Sequence, residues 1–337
     1  MLAAHALGAA YSDVPVSRPA GPPNLPPPPA RAPAEPTPTI KVGFIGLGRM
    51  GRPMCARLAQ AGYDVIATDR DPRRQPDAAQ ATARWQPTNA GAAAEADVLI
   101  TMLPGPDAVT DAMTGREGAL HTLSRAATWI DMSSNDPAVG RTLADHASDH
   151  HIRCLDAPVG GGPVEATNGT LRLFVGGDDL DIRRHRRLLE TLADPDRIIH
   201  VGPHTAGYTT KLLVNLLWFG QAVATAEALL IGRKAGIELK TLRNALTASA
   251  ANSDFIRRDV DALFAGNYLT SFGLDGCVRE LESITRLADD LDVPHTLSNR
   301  VKRVYQQALE RFGPVDGELL PVALLEEQAG VDLRSPL

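Results

Sequence analysis

The chain of 337 residues is long enough for two domains, and its 44% hydrophobic and 22% charged residues are typical of a globular protein. Its formal net charge of -6 at pH 7 disfavours a nucleic-acid-binding protein, which needs a basic face to contact phosphates. The cysteines Cys55, Cys154 and Cys277 are odd in number and far apart, so we expect no disulfide framework, no metal site and a reducing cytoplasm.

Residues 1–39 differ in composition from the rest of the chain. Their segment RPAGPPNLPPPPARAPAEPTPT is dominated by proline and alanine, so it can neither form a hydrogen-bonded ladder nor bury an apolar core. It also lacks the basic stretch and the continuous apolar run of a secretory signal. We predict a disordered extension, with a targeting role or a misassigned start codon as the alternatives.

Short β-like runs alternate with helical stretches over residues 40–203. Most of these runs are continuously apolar, as expected for strands that helices cover on both faces. The alternation predicts a doubly wound, mainly parallel α/β sheet, which is a Rossmann domain. The candidate strands are KVGFI, DVIATD, DVLITML, TWIDMS, IRCLDAP, LRLFVG and RIIHVG.

The pattern changes to helical spacing from about residue 204 onward. We predict an all-α domain over residues 204–330 that begins with a long connecting helix at about 205–234. The apolar run of that helix is long enough to span a bilayer, but Lys211, Asn215, Gln221 and Glu227 within it are costly in hydrocarbon. We therefore expect a buried helix of a soluble protein that does not enter a membrane.

A glycine-rich loop, GLGRMG, lies directly between the first predicted strand and a predicted helix. Gly46 would permit the tight turn, Gly48 would let the backbone approach a pyrophosphate, and Gly51 would allow close packing of the helix on the strand. The helix N-terminus would offer free N–H groups to the phosphates. A glycine turn without a ligand is the alternative, but the strand–loop–helix context favours a dinucleotide.

Asp69 ends the second predicted strand, where an acidic residue of such a domain contacts the adenosine ribose hydroxyls. An aspartate there repels a 2′-phosphate, which favours NAD as the cofactor. Arg70, Arg73 and Arg74 follow closely and leave NADP possible. The predicted cofactor-binding residues of these two segments are Gly46, Leu47, Gly48, Arg49, Met50, Gly51, Asp69 and Arg70.

Three further loops follow predicted strands, at the edge of the sheet where ligands bind in such folds. Leu103 and Pro104 end one strand and are predicted to face the nicotinamide, and Ser134 is predicted to contact the cofactor or to cap the next helix. The third loop carries the consecutive glycines Gly160, Gly161 and Gly162. Their uncovered N–H groups are predicted to bind a substrate carboxylate, with a flexible hairpin turn as the alternative.

Four motifs occur along the chain in the order GLGRMGRPM, DMSSNDP, DAPVGGGPVEATNGTL and GYTTKLLVN, and AEALLIGRKAGI follows the last of them. With these motifs the chain from about residue 40 to residue 330 resembles the β-hydroxyacid dehydrogenase family. The resemblance implies a Rossmann domain joined to an all-helical domain, with the active site in the cleft between them. It also implies that Lys211 is catalytic, that Asn215 helps to orient the substrate, and that the protein is a homodimer or homotetramer.

The spacing of Lys211 and Asn215 agrees with these implied roles. Residues four positions apart project from the same face of a helix, so both polar groups would point into one cleft. Partial desolvation would lower the pKa of the lysine, whose ammonium would then pass a proton to a substrate oxygen. The alternative is a lysine that extends from the helix end into solvent.

Four positions, in three motifs, depart from the family pattern. Gly160 stands where the family usually has serine, Arg279 and Glu280 stand where it usually has lysine and aspartate, and Val214 replaces the first asparagine of a common pair. An arginine grips a carboxylate, sulfonate or phosphate at two points, so Arg279 is predicted to bind substrate. Two of these departures, those at Gly160 and Arg279, concern the substrate side of the predicted site.

The function expected from residues and resemblance together is that of an NAD(P)-dependent oxidoreductase. It would interconvert a small 3-hydroxy acid and the corresponding semialdehyde by hydride transfer, with Lys211 as the general acid and base. A cofactor-binding scaffold without turnover and an imine-reductase-like enzyme are the alternatives, and the presence of Lys211 disfavours both.

Overall fold

A sheet of nine strands occupies the first part of the structure, a computed structural model that describes residues 40–269 and 272–334. The predicted disordered extension over residues 1–39 lies outside the described residues. The strands are β1 (Lys41–Ile45), β2 (Asp64–Thr68), β3 (Arg84–Trp85), β4 (Val98–Thr101), β5 (Thr128–Asp131), β6 (Arg153–Asp156), β7 (Val159–Gly160), β8 (Leu171–Gly176) and β9 (Ala193–Gly202).

Helices follow most of these strands and, with the connecting loops and turns, make up the rest of the described chain. Those that accompany the sheet are α1 (Gly51–Gln60), α2 (Gln75–Gln80), α3 (Asn89–Ala93), α4 (Pro106–Thr114), α5 (Pro137–Asp149), α6 (Pro163–Asn168) and α7 (Asp179–Leu192). Those that follow it are α8 (Ala206–Lys234), α9 (Leu239–Thr247), α10 (Asp254–Arg258), α11 (Val260–Phe264), α12 (Leu274–Asp290), α13 (Thr296–Phe312) and α14 (Leu320–Ala329).

The strand order is β3-β2-β1-β4-β5-β6-β8-β7, and β9 pairs with the other side of β8. The pairs from β3 to β6 are all parallel, and the order reverses at β1 and β4, as in doubly wound nucleotide-binding sheets. The predicted fold class is thus confirmed. Strand β8 runs antiparallel to β6 and β7, and the two-residue strands β3 and β7 are too short to show a pattern in sequence.

Alternate residues of the central strands enter cores on opposite faces of the sheet. In β4, Val98 and Ile100 belong to a core that also contains Phe44, whereas Leu99 packs with Trp129 in the core on the other side. Because side chains alternate along a strand, a strand buried on both faces must be apolar at every position. This explains the continuous apolar runs of the sequence.

The helical part is organised around α8, which packs against β8 and against α12, α13 and α14. Two cores form there, one including Leu229 and Phe255, the other including Phe219 and Tyr305. Among the described residues after Gly202, β geometry is confined to an isolated bridge between Gly273 and Asp316. The predicted all-α second part is confirmed.

One face of α8 departs from the expectation of a buried helix. Within the described chain, this helix is the one that is long and apolar enough to cross a membrane. Only 39% of its most apolar stretch of 18 residues is buried. Leu213, Leu217 and Ile231 are 46%, 66% and 70% exposed. The expectation was wrong for this face, because the chain's own helices cover only the opposite side of α8.

Replacing Leu99 with alanine should lower the free energy of unfolding by about 2–5 kcal/mol, because this fully buried side chain leaves a cavity in a packed core. Urea denaturation measures the change. Leu180→Ala is the matched control: Leu180 is 75% exposed, so its loss should stay within about 0.5 kcal/mol. Equal losses in the two variants would contradict the assigned core.

Candidate active site

The glycine-rich loop between β1 and α1 has the geometry that a phosphate-binding loop needs. Gly46 has φ +104°, and a Cβ there would lie 2.4 Å from the Met102 carbonyl oxygen. A Cβ on Gly51 would lie 1.8 Å from the Gly46 carbonyl oxygen, whereas one on Gly48 would meet nothing within 4 Å. The turn and the helix packing therefore require Gly46 and Gly51, and Gly48 leaves open space beside the backbone.

The N-terminus of α1 faces this loop without a cap from its own sequence. Met50 occupies the N-cap position, and no side chain accepts a hydrogen bond from the first turn. Asp69 stabilises the loop: one carboxylate oxygen accepts the Leu47 N–H at 2.7 Å and the other accepts the Asp71 N–H at 2.9 Å. A carboxylate has about four lone-pair positions, so Asp69 keeps acceptor capacity for ribose hydroxyls.

Several arginines lie near the loops after β1 and β2, and most of them form ion pairs with aspartates. Arg73 forms a two-point ion pair with Asp71, and Arg74 pairs with Asp77. Arg49 lies at the surface and pairs with Asp316 of the helical part at 3.0 Å. Arg70 is exposed. Of the three arginines that the sequence offers as 2′-phosphate ligands, Arg73 and Arg74 are therefore paired with carboxylates, and Arg70 is exposed.

A small cavity of about 20 Å³ lies where the loops after β4 and β5 meet α8 and α12. Three residues predicted from sequence border it: Pro104, Ser134 and Arg279. Its other lining residues are Gly105, Pro106, Asn135, Asp136, Leu212, Phe272, Gly276, Glu280 and Ser283. The cavity thus lies beyond the carboxyl ends of the strands, at the edge where ligands bind in such sheets.

The two loops from the sheet are held by short polar contacts. The Leu103 N–H donates to Ser133 Oγ at 2.9 Å, which ties the loop after β4 to the loop after β5. Asp136, and not Ser134, caps α5, because its Oδ1 accepts the Ala138 N–H at 2.9 Å. The capping alternative for Ser134 is therefore wrong, and its partly buried side chain borders the cavity instead.

Lys211 and Asn215 both lie close to Glu280 of α12. Asn215 Nδ2 donates to Glu280 Oε2 at 2.6 Å. Glu280 is only 7% exposed, and its Oε1 has no hydrogen-bond partner among the described residues. Sequence reasoning did not select Glu280 as a site residue, and its only signal was its place in the Arg279–Glu280 pair.

The Lys211 side chain is partly buried, and in the described chain its ammonium makes no hydrogen bond or ion pair. Burial lowers the pKa of Lys211 below its ordinary value, while the negative charges of Glu280 and Glu318 act in the opposite direction. Lys211 does not itself line the cavity, which its neighbour Leu212 and Glu280 border. An amine with a lowered pKa near an incompletely satisfied carboxylate is suited to proton transfer.

The substrate-side residues predicted from sequence have different surroundings. Gly162 donates its N–H to Glu165 Oε2 at 2.9 Å, so this donor of the three-glycine loop is already used. Gly161 has φ +112°, whereas a Cβ on Gly160 would make only ordinary contacts, the nearest at 3.5 Å to Arg172 Cβ. None of the three glycines borders the cavity described above.

Arg279 borders the cavity, but its guanidinium pairs with Asp275 one turn earlier in α12. Its side chain is 47% exposed, so this pair is open to exchange with another anion in solvent. Arg279 therefore borders the cavity while it is paired with Asp275. Glu280, on the same side of the cavity, is buried.

Comparisons with known proteins cover both parts of the chain. Residues 41–202 match the NAD binding domain of 6-phosphogluconate dehydrogenase, and residues 205–324 match the NAD-binding domain of NADP-dependent 3-hydroxyisobutyrate dehydrogenase. Mouse mitochondrial 3-hydroxyisobutyrate dehydrogenase is 30% identical over 284 residues, which are 82% of this chain and 83% of that protein.

Two further relatives extend the comparison. The 2-(hydroxymethyl)glutarate dehydrogenase of Eubacterium barkeri is 29% identical over 269 residues, 80% of this chain and 89% of that protein. The structure of Mycobacterium tuberculosis 3-hydroxyisobutyrate dehydrogenase with L-serine superposes with a TM-score of 0.78 and 28% identity, covering 85% of this chain and 99% of that one.

The glycine loop fits a dinucleotide, and both halves of the chain match nicotinamide-cofactor-binding domains. The resemblance seen in the sequence is confirmed over most of the chain. The chain therefore belongs to the β-hydroxyacid dehydrogenase family, whose members are NAD(P)-dependent oxidoreductases that act on CH–OH groups.

Proposed function

We propose that this protein interconverts a small 3-hydroxy acid, or a related hydroxy acid, and its semialdehyde, with Lys211 as the general acid and base. The observation that carries the proposal is the grouping of Lys211 and Asn215 around Glu280, which borders the cavity at the carboxyl edge of the sheet. The names of the relatives from mouse and Mycobacterium tuberculosis support the substrate class.

We propose that residues 40–203 hold the cofactor and that residues 204–330 complete the substrate site. Gly48 leaves room for a pyrophosphate in front of the uncapped first turn of α1, and Asp69 offers its remaining acceptor positions to the adenosine ribose. Leu103, Pro104 and Ser134 would border the nicotinamide. When bound there, the nicotinamide supplies or accepts the hydride.

Lys211 would donate a hydrogen bond to the substrate oxygen and move a proton to or from it. In reduction the ammonium gives its proton to the developing alkoxide, and in oxidation the neutral amine accepts the hydroxyl proton. Asn215 is held by Glu280, so its amide orientation is set before substrate arrives. Arg279, which borders the cavity, would receive the substrate carboxylate, with the backbone of Gly160 and Gly161 as further proposed contacts.

NAD is the cofactor that the loop after β2 favours. Asp69 lies where a 2′-phosphate would have to be accommodated, and its negative charge opposes that group. Arg73 and Arg74 are the nearby cations suited to a phosphate, and each is paired with a carboxylate of its own segment. A preference for NADP would place the 2′-phosphate against the exposed Arg70, or would require the pairs of Arg73 and Arg74 to open.

Replacing Lys211 with alanine should lower turnover by a factor on the order of 10²–10⁴, because the proton then has no positioned donor. Steady-state rates with 3-hydroxyisobutyrate, serine, glycerate, threonate, 4-hydroxybutyrate and a sulfonated analogue, each with NAD and NADP, measure the effect. Lys234→Ala is the control, since Lys234 is exposed at the far end of α8 and should leave the rates unchanged.

The same panel separates the competing functions. Full activity of the Lys211 variant would remove the lysine from the mechanism. Cofactor binding by fluorescence without turnover of any hydroxy acid or semialdehyde would support the scaffold alternative. Reduction of imines by a wild-type protein that leaves all hydroxy acids untouched would support the imine-reductase alternative.

Glu280→Gln should shift the pH profile of kcat/KM to lower pH in both directions of the reaction. Reduction requires the ammonium, so its rate falls as pH rises through the pKa of Lys211, and oxidation rises through the same pKa. Because the Glu280 charge raises the pKa of Lys211, its removal lowers that pKa further. Glu282→Gln is the control: Glu282 does not act on the pKa of Lys211, so the pH profile should stay in place. A shift of the profile to higher pH in Glu280→Gln would contradict the proposed action of Glu280 on Lys211.

We also propose that the protein forms a homodimer or homotetramer through the exposed face of α8. Leu213, Leu217 and Ile231 form an apolar stripe on that face, spaced by four residues and then by fourteen, as positions on one side of a helix are. An apolar stripe of this kind marks an interaction surface on a protein that does not enter a membrane. The stripe is therefore where a second copy would pack.

Leu217→Glu should convert the assembly to a monomer, because a charge would be buried at the contact. Light scattering coupled to size-exclusion chromatography measures the mass, and the monomer mass is 35.9 kDa. Leu180→Glu is the control, since it places the same charge at an exposed leucine of α7. A wild-type mass of one subunit would contradict the proposed assembly.

The cytoplasm is the compartment that we propose. Cys55, Cys154 and Cys277 are all free thiols, and burial raises the pKa of Cys55 and Cys154 to about 12. Thiols of this kind are stable in a reducing compartment and contribute no cross-links. Fractionation of cells that express the protein tests this placement.

A further inference from the structure

The first turn of α8 is held by a buried carboxylate of the sheet that the proposed proton transfer does not use. Asp156, at the end of β6, is fully buried and accepts the Thr205 N–H at 2.8 Å and the Tyr208 N–H at 2.9 Å. The Thr205 side chain does not cap the helix. Asp156 therefore takes the place of an N-cap residue, from a different element of the fold.

Glycines allow this contact to be close. A Cβ on Gly176 would lie 2.5 Å from an Asp156 carboxylate oxygen, and one on Gly207 would lie 2.6 Å from the other. The Tyr208 ring likewise packs against Gly140 of α5, where a Cβ would lie 2.4 Å from Cε2 of the ring. The absence of a side chain at Gly140 therefore makes room for the Tyr208 ring.

That hydroxyl reaches a second buried carboxylate. Tyr208 Oη donates to Asp131 Oδ2 at 2.8 Å, and both residues are at most 1% exposed. Asp131 also accepts the Thr101 hydroxyl at 2.8 Å, the Ser133 N–H at 3.0 Å and the Asn135 amide at 3.0 Å. Four donors from β4, the loop after β5 and α8 therefore converge on this one carboxylate.

These donors connect α8 to the loops of the cavity. Ser133 accepts the Leu103 N–H, so the loop after β4 follows the same network. Asn135 borders the cavity itself, and its side chain is fixed by Asp131. Lys211 lies three residues beyond Tyr208 on α8, which is one turn of the helix. Asp131 is therefore the common anchor of the loops and of the helix that carries the lysine.

At ordinary pH the Tyr208 hydroxyl remains the donor and the Asp131 carboxylate the acceptor of their hydrogen bond. Burial raises the pKa of Tyr208 well above its usual value, and the charge of Asp131 adds to that effect, so the hydroxyl keeps its proton and donates. Burial also raises the pKa of Asp131, but the bonds from Ser133, Thr101 and Tyr208 oppose that rise. A buried carboxylate that accepts four hydrogen bonds is a stable arrangement.

We propose that Tyr208 and Asp131 are positioning residues: their hydrogen bond fixes Lys211 relative to the loops after β4 and β5. The inference rests on the proposed function, in which Lys211 transfers the proton. Reacting groups must be placed closely, and a displacement of about 1 Å costs on the order of 100-fold in rate. Loss of the Tyr208 hydroxyl removes the direct bond from α8 to Asp131, while the Asp156 contact and the glycine-rich loop stay in place.

Tyr208→Phe should lower kcat by roughly 10-fold to 100-fold and leave the Kd of NADH, measured by fluorescence, unchanged. In the Lys211→Ala background the same change should produce no further loss, because the hydroxyl acts through the lysine. Tyr268→Phe is the matched control: it removes a hydroxyl–carboxylate bond to Glu326 in the helical part and should leave kcat unchanged.

A second variant displaces the hydroxyl without removing it. Gly140→Ala pushes the Tyr208 ring from its slot, and its effect on kcat should also vanish when Lys211 is alanine. The rate of acetylation of Lys211 in the cofactor-free protein, followed by mass spectrometry, should change in both variants. Thermal unfolding and circular dichroism establish that each variant is folded.

Two results would overturn the inference: full kcat in a folded Tyr208→Phe protein, or losses that add to those of Lys211→Ala. The first would show that the hydroxyl does not place the lysine, and the second that it acts elsewhere. If Lys211→Ala alone retained full activity, the proposed function would fail instead. Comparing the single variants with the double variant therefore distinguishes the failure of the positioning role from the failure of the lysine mechanism.

Discussion

The structure depends on the contact between the carboxylate of Asp156 and the first turn of α8. A buried carboxylate is unfavourable unless donors surround it, and the first N–H groups of a helix are unfavourable when buried unless an acceptor meets them. Here each satisfies the other, and the positive end of the helix dipole adds to the attraction. The sheet and the helical part are joined by this mutual requirement, which fixes where α8 begins.

Contacts of different strength connect the two parts of the protein. The Arg49–Asp316 ion pair is about half exposed on both sides, so its contribution is at most about 1 kcal/mol. The bonds to Asp131 and Asp156 are buried, and removing one partner of such a bond leaves a polar group that costs about 1–3 kcal/mol. The buried carboxylates, more than the surface ion pairs, therefore determine how α8 sits on the sheet.

Much of the fold was accessible from the sequence, because it follows from local patterns. Apolar runs identified the central strands, and the spacing of Gly46, Gly48 and Gly51 identified the loop whose geometry requires or uses each glycine. The roles of Asp131, Asp156 and Tyr208 were not accessible, since their partners are distant in sequence. Glu280 was missed for the same reason: its bond to Asn215 joins two helices whose packing is not encoded in either segment alone.

Gly160 differs from most glycines of the structure in having no conformational need to be glycine. Its φ is not positive, and an added Cβ would find ordinary van der Waals contacts only. Serine and glycine codons can differ by one nucleotide, so a mutation here can restore the hydroxyl usual in the family without disturbing β7 or its pairing with β8. The fold therefore sets no steric barrier to a larger side chain at position 160.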